Sequence, residues 1–68
     1  MDVERLAGRL AAKVAELEQS SRLRGEAAAR VAASLILAAL VDSGADPHAV
    51  RASMDEALRR WRSDQKPR

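Results

Sequence analysis

Between Ala27 and Val41 the only polar residues are Arg30 and Ser34. Stepped at about 100° per residue as a helix, Arg30 and Ser34 fall on one side, and Leu37 and Val41 fall on nearly that same side. Leu35, Ile36, Ala38, Ala39 and Leu40 fill the rest, so residues 35–41 are apolar all the way round. A helix of that kind is buried on every side or lies in a membrane. The segment is too short and too rich in alanine for a bilayer, which takes about 20 apolar residues. Other helices must therefore cover it, and this need constrains the fold more than any other feature.

The chain has few means of supplying that cover. With 68 residues, it buries too small a share of its surface to be comfortable alone, and small domains turn to disulfides, metals or oligomers. There is no cysteine and a single histidine, which excludes disulfides and argues against a structural zinc site. Oligomerisation remains. Alanine, leucine, arginine and glutamate dominate, all good helix formers, and strand formers are scarce. The fold class expected is all-α. Alanine and arginine both have GC-rich codons, which points to a GC-rich bacterial genome or its phage or plasmid. The start lacks a basic segment followed by an apolar one, so no signal peptide is expected and the protein should be cytoplasmic.

The clearest boundary is Asp42-Ser43-Gly44-Ala45-Asp46-Pro47. Gly44 suits the left-handed position after a helix, Asp46 an N-cap and Pro47 the first helical position. One helix should end near Ser43 and another begin at Pro47 and run to Arg62 or Ser63. The second carries Val50, Met54, Ala57, Leu58 and Trp61 on one face. Asp55 with Arg59 and Glu56 with Arg60 make i,i+4 pairs on the other face.

The region from Asp2 to Ser43 admits two readings. Val3, Leu6, Leu10, Val14 and Leu17 recur at the spacings of a coiled-coil seam. Ser20, Ser21 and Gly25 then weaken helix propensity. However, Val3, Leu10, Leu17, Arg24, Val31 and Ala38 keep one seven-residue phase, and Glu18, Arg22, Glu26 and Arg30 form an i,i+4 charge stripe. These two features favour one long helix, bent near Gly25, folded back on the short helix as a hairpin. Two helices with a short joint, giving three in all, are the alternative.

A long helix covered by a short one leaves apolar surface exposed, and the simplest cover is a second copy. The expected architecture is a dimeric helical bundle with a coiled-coil-like N-terminal arm, in which residues 1–63 form a single oligomerisation domain. Val3, Leu6, Leu10, Val14, Leu17, Val31, Leu35, Leu37 and Val41 are the candidate oligomer interface. The seam does not distinguish parallel from antiparallel pairing, or a dimer from a tetramer.

Chemistry is sparse. Reading His48 with Asp46 and Ser43 as a triad would need a specific geometry in a pocket, and no glycine elbow or second polar cluster supports it. Asp42, Asp46, Asp55 and Glu56 do not match a calcium loop, and Gly8, Gly25 and Gly44 are isolated. No enzymatic activity, cofactor or metal is expected. Trp61, the sole aromatic residue, reads first as a core anchor and second as a partner hot spot. Residues 59–68 carry Arg59, Arg60, Arg62, Lys66 and Arg68 against Asp64. That is five cations less one carboxylate, +4, which leaves residues 1–58 at −2 within the whole-chain charge of +2. Residues 64–68 are expected to form a disordered basic tail. Trp61, Arg59, Arg60 and Arg62 are the partner-binding candidates. The function expected is a homo-oligomeric helical interaction module that pairs with itself and a second protein, acting as an adaptor, docking element or regulatory subunit. The alternative is a small dimeric regulator of phage or plasmid type that binds nucleic acid, weakly, through its basic end.

Overall fold

The structure is a computed structural model and describes residues 2–65. It holds three helices and, among the described residues, no strand: α1 Val3–Ser20, α2 Gly25–Asp42 and α3 Pro47–Gln65. Each helix packs against the other two, and short joints make consecutive helices run antiparallel. The longest dimension is 34 Å, whereas a single helix from Asp2 to Ser43 would span about 60 Å.

The expectation of one helix through residues 20–25 is overturned, and the alternative of two helices with a short joint is correct. Four residues separate α1 from α2, and side-chain chemistry stabilises the break. The Ser21 hydroxyl donates to the Leu17 carbonyl at 2.6 Å and accepts from the Leu23 amide at 3.2 Å. Serine competes for backbone partners in this way at helix ends. The Arg24 guanidinium donates to the carbonyls of Glu18 and Ser21 at 2.7 and 3.1 Å, placing a cation on the negative end of α1. The Glu18 carboxylate accepts from the Gly25 amide at 3.1 Å, placing an anion on the positive end of α2. Gly25 has φ +54, a left-handed value that a side chain would strain.

The Glu18–Arg22–Glu26–Arg30 stripe therefore does not form. Glu18 and Arg24 cap helix ends, Arg22 lies in the joint, and only Glu26–Arg30 persists, at 4.0 Å. The joint also resets the heptad phase. Leu10 lies in the core, while Val31 and Ala38, in the same phase, face outward.

A proline scan tests the break. Ser21 is extended, with φ −147 and ψ −177, a conformation suited to the residue before a proline. Arg22→Pro should change stability by less than about 0.5 kcal/mol. Ala12→Pro, at an exposed site inside α1, should cost about 3 kcal/mol or more. Urea unfolding of the two variants is the measurement, and equal losses would mean helix through the joint.

The second joint matches the sequence reading. The Gly44 amide donates to the Val41 carbonyl and the Ala45 amide to the Leu40 carbonyl, each at 3.0 Å. With Gly44 at φ +102, this is a Schellman motif. Asp46 caps α3 by accepting from the Ala49 amide at 3.2 Å, and Pro47 opens the helix. At its far end α3 continues to Gln65, so Asp64 and Gln65 are helical rather than part of a tail. Lys66, Pro67 and Arg68 lie outside the described residues.

Most of the core is one cluster, and Val50 of α3 is buried outside it. Leu6, Leu10 and Val14 come from α1, Ala28, Ala29, Ala32, Ala33 and Ile36 from α2, and Met54, Ala57 and Trp61 from α3. Alanine supplies most of the share of α2, which lets the other helices approach its axis closely. Val3, Leu17, Leu37, Leu40 and Leu58 pack partly buried around this cluster.

Candidate interaction surface

The oligomer-interface candidates divide into two groups. Leu6, Leu10 and Val14 are buried within the chain, and Val3 and Leu17 pack on the same cluster. The surface of the α1 seam is thus already taken up by α2 and α3. On α2, Leu37 is half-buried, while Leu35, Val41 and Val31 remain exposed at 49%, 39% and 37%. They are the only large hydrophobic residues exposed to this degree among the described ones.

These residues belong to one stripe. Ala27, Val31, Ser34, Ala38 and Val41 follow one another at alternating spacings of four and three, all exposed, with Leu35 beside them. This is coiled-coil spacing on the outer side of the helix. Arg30 and Asp42 are the charged residues that border it on α2 itself. The sequence reading named Val31, Leu35 and Val41 but missed Ala27, Ser34 and Ala38. Their spacing is the available signal, but of the stripe only Val31 and Ala38 enter the seven-residue phase read from the sequence, and that phase runs on into α1.

A groove runs along each side of the stripe. One, of about 460 Å³, is lined by Asp2, Arg5, Leu6, Arg9 and Leu40, between the start of α1 and the end of α2. The other, of about 420 Å³, is lined by Leu37, Ala38, Val41, Pro47, His48 and Arg51, between the end of α2 and the start of α3. Arg5, Arg9 and Arg51 form no ion pair among the described residues. They were not candidates from sequence, because isolated arginines on amphipathic helices read as solvated faces.

The remaining candidates have partners inside the chain. Trp61 is 8% exposed and belongs to the core cluster. Its rim shares a shallow groove with Ala7, Gly8, Ala11 and Arg60. Arg59 donates to Glu56 at 2.9 Å and Arg60 to Glu4 at 3.3 Å. The pairs expected from Asp55 to Arg59 and Glu56 to Arg60 are replaced by these, because Arg60 reaches across to α1. Arg62 donates through Nε to Glu26 at 2.9 Å and joins α3 to α2. Hydrogen bonding to Arg62 holds the Glu26 carboxyl below its ordinary range, and the same bond raises the guanidinium. A depressed carboxyl contributes stability at neutral pH and loses it as acid protonates the group. At this exposed position the contribution is small.

No family model, curated protein or solved structure matches this chain. His48 is exposed in the first turn of α3, and among the described residues no three carboxylate or imidazole groups converge as metal ligands. Nor is any described helix long and apolar enough to cross a membrane.

Proposed function

We propose that this chain is a non-catalytic helical interaction module that self-associates through the outer face of α2 and serves as an adaptor, docking element or regulatory subunit. The observation that carries this reading is the exposure of Leu35, Val31 and Val41 on one face of a bundle whose other large apolar side chains, among the described residues, are buried or half-buried. Contiguous apolar surface rimmed by polar groups marks interaction sites on small soluble proteins.

The nucleic-acid reading has less support. Arg59, Arg60 and Arg62 each face a carboxylate of the same chain, so phosphate contact would compete with existing pairs.

Sedimentation equilibrium across the micromolar range tests the proposal, with dimers or larger species expected. Leu35→Glu is the informative variant. Leu35 is half-exposed in the single chain, so helicity should persist, while a glutamate buried at the contact should weaken association by about a hundredfold or more. A monomer throughout the range, or unchanged association in Leu35→Glu, refutes the reading.

A further inference from the structure

We infer that two copies pair through α2 in antiparallel orientation, about a two-fold axis that crosses the helix between Ser34 and Leu35. The inference rests on the self-association proposed above and goes further by naming register and direction.

Side-chain size is the first argument. The outer stripe holds three large residues, Val31, Leu35 and Val41, and three small ones, Ala27, Ser34 and Ala38. An antiparallel copy centred between Ser34 and Leu35 sets Val31 over Ala38 and Val41 within one residue of Ala27, with Ser34 and Leu35 at the axis. Val31 and Val41 then each meet a small side chain, an arrangement that fills an interface without voids or crowding. A parallel copy sets like against like. Ala27, Ser34 and Ala38 would then face small residues across gaps. Antiparallel pairing also sets opposed helix dipoles side by side.

Charge is the second argument. Arg5, Arg9 and Arg51 flank the C-terminal half of α2, where their grooves also hold Leu40 and Val41. Glu26 lies in the first turn of α2, and Glu16, near the end of α1, sits beside that same end. The two-fold carries the C-terminal half of one α2 over the N-terminal half of the other while keeping each flank on its own side. Arg5 then approaches Glu16 of the second copy on the α1 flank, and Arg51 approaches its Glu26 on the α3 flank. Glu16, 65% exposed beside Lys13, and Glu26, 44% exposed beside Arg62, would share their carboxylates between the cation of their own chain and the arginine of the second copy. A parallel pair would instead gather Arg5, Arg9 and Arg51 of both copies at one end.

Area is the third. A stable pair needs roughly 800 Å² from each copy, about a sixth of the 4815 Å² surface. The α2 side with its two grooves is one of three sides of the bundle.

The chain contains no cysteine, so engineered cysteines report the geometry directly. A disulfide requires Cα atoms within about 7 Å. Residue 27 and its own counterpart would lie about 20 Å apart in the antiparallel pair, while residue 27 and the other copy's residue 41 would be adjacent. Ala27→Cys and Val41→Cys chains, one carrying a mass tag, are mixed and oxidised. The mixed disulfide is expected as the main product, with Ala27→Cys alone failing to cross-link and Ser34→Cys alone cross-linking near the axis. Dimers that sediment as such but cross-link through Ala27→Cys alone overturn the antiparallel register and leave self-association standing. Absence of dimers in the unsubstituted protein overturns both.

Discussion

Replacing Trp61 with alanine should cost about 3–5 kcal/mol, the range for removing a large aromatic residue from a core. A single core of this size rarely supplies more than about 3–5 kcal/mol in total, so Trp61→Ala should be largely unfolded at room temperature. Far-ultraviolet circular dichroism would show the loss of helix. The expectation follows from position: Trp61 is 8% exposed and belongs to the cluster with Leu6, Leu10 and Met54. Trp61→Phe should fall in between, because it keeps a ring while removing part of the volume. If Trp61 were instead an anchor for a partner, the alanine variant would keep its helicity and lose only binding.

Leu10→Ala should be the next most damaging change, at about 2–5 kcal/mol. Leu10 is fully buried in the middle of α1. The facing contribution of α2 is mostly alanine, whose short side chains cannot reach into the void, so much of the cavity persists. The loss in urea midpoint should be the same at low and high protein concentration, since the packing is within one chain. Had Leu10 belonged to a seam between chains, dilution would deepen the defect. Leu35→Ala, on the outer face, should leave the stability of the single chain within about 0.5 kcal/mol.

These two residues show where sequence reasoning succeeds and where it stops. The all-helical class, the stop at Ser43, the turn through Gly44 and the start at Pro47 were all legible. Each depends on interactions within a few residues: a left-handed glycine, an aspartate cap, a proline with no amide to donate. The apolar face of α3 was legible for the same reason, because helical periodicity is local. The candidate surface was legible in part, as Leu35, Val31 and Val41 stand in a segment with too much apolar circumference for its neighbours to cover.

The joint at residues 21–24 was not legible. Local signals there conflict, with two serines and a glycine against an unbroken charge stripe and heptad phase. The conflict is resolved by distant gains: breaking the helix lets Leu6, Leu10 and Val14 reach α2 and α3, and frees Glu18 and Arg24 to cap the two helix ends. A continuous helix would keep two or three surface ion pairs worth a few tenths of a kcal/mol each and leave the α1 seam in water. The same break decided which half of the heptad pattern points inward. Spacing alone marks Val3, Leu10, Val31 and Ala38 as one stripe. Whether a stripe becomes core or surface depends on which helices lie against it, and only the tertiary structure supplies that.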